Sequence, residues 1–94
     1  MYKFIISYDL KAKNADYTSL YEAIKSAEGW WHYLESFWII TSNHNLTFWQ
    51  EKIKANIKPE DSFIIVEVRD AATNGWLPKK AWEWINQNAS PQIR

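Results

Sequence analysis

Apolar residues along the chain gather in four short runs that predict β-strands. The runs cover residues 2–8, 30–33, 37–41 and 62–68. They are rich in β-branched and aromatic side chains, which favour strands. A short corner at residues 34–36 separates the second run from the third, which is typical of a hairpin.

Between and after these runs, the apolar residues follow the spacing of helices. The first predicted helix is capped by Asp16 and ends at Gly29, because glycine adopts a left-handed closing conformation at little cost. The second covers about residues 48–57 and follows a capping box that begins at Thr47. Pro78 suits the first turn of a short third helix.

The predicted order is β-α-β-β-α-β plus a short C-terminal helix. It indicates an α+β protein with the ferredoxin-like fold, in which four antiparallel strands carry two helices on one face. We expect a single domain over residues 1–88 and a frayed tail at residues 89–94.

The two-residue period of strands predicts which side chains face the helices. These are Phe4, Ile6 and Tyr8 in the first strand and Ile64, Val66 and Val68 in the last. Phe63 and Ile65 would then make the opposite face of the sheet half apolar. We expect the terminal helix or a second subunit to cover that face.

The composition limits the kind of partner. Seven tryptophans and five tyrosines in 94 residues exceed what a small core encloses, so we expect an exposed apolar surface and a homodimer. Eleven basic residues cancel eleven acidic ones. A protein that grips phosphate backbones usually carries net positive charge, so any nucleic-acid binding must depend on a local patch.

The sequence also bears on the compartment. It contains no cysteine, which excludes disulfides and thiolate metal sites. No signal-like segment precedes the first strand, and no apolar stretch is long enough to span a bilayer. We therefore expect a cytoplasmic protein with no membrane partner.

Several short motifs, in their order and spacing, resemble a known family. They are Ser7-Tyr8-Asp9-Leu10, Trp30-Trp31-His32-Tyr33-Leu34, Trp38-Ile39 and Gly75-Trp76-Leu77. Over about residues 1–88 the chain is similar to small bacterial proteins labelled SinR family. This set resembles the Cas-two-like superfamily, which includes the small CRISPR adaptation subunit and the VapD-like toxin ribonucleases.

The resemblance implies a homodimer whose two sheets approach each other, with Asp9 near the two-fold axis. In active members of the superfamily this aspartate is proposed to bind a divalent metal, so the resemblance implies a Mg²⁺-dependent endoribonuclease or endodeoxyribonuclease centred on Asp9. The chain departs from the active pattern at residues 14–17, where the adaptation subunit has a basic helix start. The zero net charge of the chain also differs from the positive charge expected of a strong duplex-DNA binder. These departures favour a protein that is non-catalytic or weakly catalytic.

Other residues have both a functional and a structural interpretation. His32 is a candidate for proton transfer beside Asp9, although a half-buried strand histidine is more often a packing residue. The candidate phosphate contacts are Ser7, Lys52, Lys54, Lys79 and Lys80. Acidic residues interrupt these lysines in the sequence. An ordinary solvated surface is therefore the simpler interpretation of the lysines. Packing likewise explains the tryptophans more simply than base stacking.

Two functions remain open from the sequence. The first is a Cas-two-like homodimer that works on nucleic acid, with any cleavage depending on a metal at Asp9. The second is a non-enzymatic adaptor or regulatory module that binds a protein through its aromatic surface.

Overall fold

The computed structural model describes residues 1–12, 14–69 and 71–88, which form a four-stranded antiparallel sheet with three helices. In chain order the elements are β1 (Tyr2–Asp9), α1 (Thr18–Lys25), β2 (Gly29–Leu34), β3 (Phe37–Ser42), α2 (Leu46–Lys54), β4 (Ser62–Glu67) and α3 (Lys79–Gln87). The strands lie side by side in the order β2-β3-β1-β4. The predicted α+β class is confirmed. The predicted tail at residues 89–94 lies outside the described residues.

The main hydrophobic core lies between one face of the sheet and the pair α1 and α2. Its largest fully buried side chains come from β1, β3 and both helices: Phe4, Ile6, Leu20, Ile24, Trp38, Ile40, Trp49 and Ile53. Burying one such side chain is worth about 1.5–3 kcal/mol, so this layer dominates the stability. The predicted inward positions of β1 are confirmed, since Tyr8 is buried alongside Phe4 and Ile6.

The helix α3 covers part of the opposite face of the sheet. Trp31 of β2 is 2% exposed, and its indole N–H donates a hydrogen bond of 3.0 Å to the carbonyl of Ala81. Ile5 and Ile39 line a small cavity of about 160 Å³ together with Trp84 of α3. The terminal helix therefore packs over β2, β3 and the near side of β1.

The prediction that Ile64, Val66 and Val68 face α1 and α2 is wrong. In the ladder between β1 and β4, Ile65 lies opposite Ile6, and opposed residues share a face of the sheet. Ile65 consequently packs against the core. Ile64 and Val66 are 60% and 45% exposed on the other face, beyond the cover of α3.

Three helix boundaries differ from the prediction, including the end of α2, which lies at Lys54 and not at residue 57. The helix α1 ends at Lys25, and Gly29 begins β2. A Cβ atom at residue 29 would come within 2.5 Å of Thr41 Oγ1, so the glycine serves close strand pairing rather than a helix end. The helix α2 begins at Leu46, because the side-chain oxygen of Asn45 accepts a 3.0 Å hydrogen bond from the N–H of Phe48.

The carboxylate of Asp61 holds the chain that follows β1. It accepts hydrogen bonds of 2.7 Å from the backbone N–H groups of Lys11 and Lys58. It also accepts from the Tyr17 hydroxyl at 2.8 Å. Burial raises the pKa of Asp61, but these hydrogen bonds outweigh it and leave the pKa below its usual value. This network fixes the loop beside the end of β1, where Asp9 lies.

Candidate functional site

An open pocket of about 440 Å³ lies where the end of β1 meets the hairpin corner and α1. Antiparallel pairing brings Ser7 opposite Phe37, so the chain leaving β1 passes beside the corner. The N–H of Tyr8 donates to the carbonyl of Ser36 at 3.2 Å and fixes this contact. The polar residues that line the pocket are Asp9, Tyr21, Lys25, His32, Glu35 and Ser36. We refer to it as the Asp9 pocket.

Asp9 is the last residue of β1, and its side chain is 66% exposed. Its carboxylate forms an ion pair of 3.1 Å with the ammonium group of Lys11. Exposed ion pairs of this kind contribute little to stability and exchange readily with other ions. The Asp9 carboxylate is therefore accessible to a cation that enters from solvent.

His32 reaches the Asp9 pocket from an irregularity in β2. Trp31 pairs with Ile39, whereas Leu34 pairs with Phe37. Two residues of β2, His32 and its neighbour, thus lie opposite the single residue 38 of β3. The regular register before this irregularity already puts His32 on the same face of the sheet as Trp38, where the two rings stack.

The imidazole of His32 is held from two sides. Its ring stacks on the indole of Trp38, with 3.8 Å between ring centroids and 2° between ring planes. Its Nδ1 lies 3.0 Å from the carbonyl oxygen of Phe37. A carbonyl oxygen only accepts hydrogen bonds, so Nδ1 carries the proton. In the neutral ring, Nε2 is therefore the nitrogen with the free lone pair.

Two buried residues that line the pocket, Tyr8 and Trp38, form a hydrogen-bonded pair. The indole N–H of Trp38 donates a hydrogen bond of 2.9 Å to the hydroxyl of Tyr8. Burial raises the pKa of Tyr8, and the hydrogen bond from Trp38 offsets this only in part. The phenol is therefore neutral at physiological pH. It acts as a fixed support for the aromatic stack.

Lys25 supplies a positive charge that the sequence analysis missed. It is the last residue of α1, and its ammonium group lies 5.2 Å from the ring centroid of Trp30. Tyr21 precedes it by four residues and therefore lies on the same helical face. That spacing was readable from the sequence. The sequence did not show that this helical face shares a pocket with Glu35 of the hairpin corner.

The predicted phosphate contacts lie outside the Asp9 pocket. Ser7 is half-buried on β1 and points to the opposite face of the sheet from Tyr8. The ammonium group of Lys52 lies 5.5 Å from the ring centroid of Phe48 on α2. Lys79 and Lys80 are exposed in the first turn of α3, on the other face of the sheet from α2 and its Lys54. The lysines of α2 and α3 therefore do not form one patch.

The oxygen atoms of the pocket suit a hard cation. Asp9 and Glu35 are the lining carboxylates. Mg²⁺ is commonly held by one or two carboxylates together with substrate phosphate and water, so this donor set fits it. Over residues 1–12, 14–69 and 71–88, no cluster of three or more acidic or histidine side chains forms a complete metal cage. Substrate oxygens would have to complete the coordination.

A scan of protein-family models and searches of curated proteins and of solved structures gave no significant match to this chain. Among the helices of the described residues, none has the length and apolar character needed to cross a membrane.

Proposed function

We propose that this chain is a Cas-two-like protein of the SinR family that works as a cytoplasmic homodimer on nucleic acid. Its fold on this proposal is ferredoxin-like. The alternation of strands and helices supports it, as does a sheet in which β1 lies between β3 and β4. One of the motifs that carry the family resemblance, Ser7-Tyr8-Asp9-Leu10, contains Asp9, which lines the pocket described above.

The proposed reaction is the cleavage of a phosphodiester bond in the Asp9 pocket. Asp9, helped by Glu35, would hold Mg²⁺, which neutralises charge on a substrate phosphate when bound. Lys25, which also lines the pocket, would contribute a second positive charge. The zero net charge of the chain favours a single strand bound locally over a long duplex, whose binding depends on many phosphate contacts.

One observation carries this proposal. Asp9 and His32 are 23 positions apart in the sequence, yet both line one pocket. The same pocket receives Lys25. An acid, a base and a cation around one pocket are groups that phosphodiester chemistry uses.

Cleavage of labelled single-stranded RNA and DNA, with Mg²⁺ and with a chelator, tests the proposal. Asp9→Asn should lower the cleavage rate at least about 100-fold, because it removes the charge that holds the cation. Glu51→Gln is the matched control, since Glu51 is an exposed carboxylate on α2 away from the pocket. Full activity in Asp9→Asn, or no cleavage by the unaltered protein, would contradict the proposed reaction.

The exposed part of the sheet supports the proposed homodimer. Ile64 and Val66 lie on β4, at the edge of the sheet, where backbone groups and apolar side chains are free to meet a second copy. Light scattering should give twice the mass of the chain. Val66→Lys should shift the mass to that of one chain, whereas Lys80→Glu on exposed α3 should leave the dimer intact. A monomeric unaltered protein would rule out this arrangement.

A protein-binding adaptor is the second candidate, favoured by one residue. Trp76 is 99% exposed in the segment between β4 and α3, an unusual place for so large an apolar side chain. This function predicts capture of one specific protein from cell extract by the unaltered chain but not by Trp76→Ala. It also predicts no cleavage with any divalent metal. Equal capture by Trp76→Ala would remove the support for it.

A further inference from the structure

We propose that His32 Nε2 is the proton acceptor for a ribose 2′-hydroxyl, which makes the Asp9 pocket selective for cleavage of single-stranded RNA. This inference rests on the proposed function and specifies its substrate class. It starts from the one ring nitrogen in the pocket that lacks a protein partner. Among the described residues, His32 makes its hydrogen bond through Nδ1, and Nε2 makes none.

The ring is fixed in the state that a general base needs. The hydrogen bond to the Phe37 carbonyl keeps the proton on Nδ1. The stack on Trp38 fixes the ring plane, and the hydrogen bond from Trp38 to Tyr8 fixes the indole in turn. Trp38 and Tyr8, which hold the stack in place, are both buried. A base with a fixed tautomer and orientation transfers protons more efficiently than a mobile one.

The rest of the pocket matches an intramolecular reaction. When the nucleophile belongs to the substrate, the protein must supply a base for its proton and a positive charge for the phosphate. His32 is that base, and Lys25 is that charge. The ammonium group of Lys25 now lies over the indole of Trp30 in an exposed cation–π contact, which is weak enough to exchange for a phosphate. Trp30, 41% exposed, would then present its ring to a base of the strand.

The step balances without any further reactant. The 2′-O–H bond breaks, and its proton passes to Nε2. The 2′-oxygen forms a bond to phosphorus while the bond from phosphorus to the 5′-oxygen breaks. The leaving 5′-oxygen takes a proton from water, and the imidazolium returns its own proton to the resulting hydroxide. The products are a 2′,3′-cyclic phosphate end and a 5′-hydroxyl end.

The test compares one labelled single-stranded RNA with the same strand built from 2′-deoxyribose. Unaltered protein should bind both strands, cut only the RNA and leave cyclic phosphate ends. His32→Asn should lower the rate at least about 100-fold, because its amide still donates to the Phe37 carbonyl but provides no base. His44→Asn should cut at the rate of the unaltered protein. His44 is the matched control, since its ring also stacks on an aromatic ring at 3.8 Å but lies outside the pocket.

The outcomes separate this inference from the proposed function. Cleavage of both strands with 5′-phosphate ends, lost in Asp9→Asn and kept in His32→Asn, would overturn the role of His32 and leave the proposed function standing. Failure of the unaltered protein to bind or cut either strand would overturn both. End analysis on the unaltered protein decides the matter even if a variant does not fold, since cyclic ends require the 2′-oxygen.

Discussion

The two histidines of the chain sit in matching aromatic stacks that serve different purposes. His32 lies 3.8 Å from the indole of Trp38, and His44 lies 3.8 Å from the ring of Phe48. Behind each stack, a buried indole N–H donates to a hydroxyl: Trp38 to Tyr8 and Trp49 to Ser42. Both places therefore combine a stacked histidine with a hydrogen bond from an indole to a hydroxyl.

The difference lies in what surrounds them. At the junction of β3 and α2, the hydroxyl of Ser42 is fully buried and also accepts from the N–H of His44 at 2.9 Å. That hydroxyl is thus used twice within the protein. At the other stack, Tyr8 and His32 line an open pocket, and His32 Nε2 has no hydrogen-bond partner among the described residues. The stack of His44 therefore lies over a buried hydroxyl that accepts two hydrogen bonds, whereas the stack of His32 lines a pocket open to solvent.

The largest expected effect tests whether the indoles of Trp38 and Trp49 contribute equally to the stability of the fold. Trp38→Ala and Trp49→Ala should each lower the free energy of unfolding by about 3–5 kcal/mol, because each removes a fully buried ring from a core too small to close the cavity. Urea denaturation measures the change. The control Trp76→Ala, at an exposed tryptophan, should change it by less than about 0.5 kcal/mol. A loss below about 1 kcal/mol for Trp38→Ala would contradict the structural role assigned to the Trp38 ring.

A smaller effect sharpens the contrast between the two hydroxyls. Ser42→Ala should cost about 2–3 kcal/mol, since it leaves the buried Trp49 N–H without an acceptor and also frees the His44 N–H. Tyr8→Phe should cost about 1 kcal/mol, because water in the Asp9 pocket can reach the Trp38 N–H. Denaturant titration of both variants gives the order. Equal losses would mean that the pocket is as dry as the junction.

The smallest effect is a pH dependence that one stack should have and the other should lack. Burial raises the pKa of Tyr8 above the value of 10.0 that it takes when unfolded. Stability is therefore unaffected below about pH 10 and falls as pH rises from there toward the folded pKa, because the unfolded chain loses its proton first. Tyr8→Phe should reduce this alkaline loss, and Ser42→Ala should keep it. Some loss stays in Tyr8→Phe, since burial also raises the pKa of Tyr17.

Much of the fold could be predicted from the sequence because its strands are short and strongly apolar. The inward face of β4 could not. Phe63, Ile64, Ile65 and Val66 are all apolar, so alternation does not choose between the two faces, and the register with β1 decides. The prediction that the first helix ends at Gly29 was wrong for a similar reason. A glycine after a helix resembles a helix end, and the close approach of Thr41 is not visible in the sequence.

Only two members of the candidate site, Asp9 and His32, were candidates from the sequence. Asp9 was singled out through the family resemblance, and His32 through its chemistry as a partner for Asp9. Their meeting depends on the strand registers, which place His32 on the face of Trp38 and bring the end of β1 beside the hairpin corner. Lys25 and Glu35 join them only because the hairpin corner packs beside the end of β1.

The most direct test of the central claim is nitrogen-15 NMR of the two imidazole rings during titration with a short single-stranded RNA. We predict that His32 carries its proton on Nδ1 and that its Nε2 signal shifts as RNA is added, while the signals of His44 stay in place. A shift at neither ring, or at His44 with His32 unchanged, would contradict the assignment of the Asp9 pocket as the site that acts on nucleic acid.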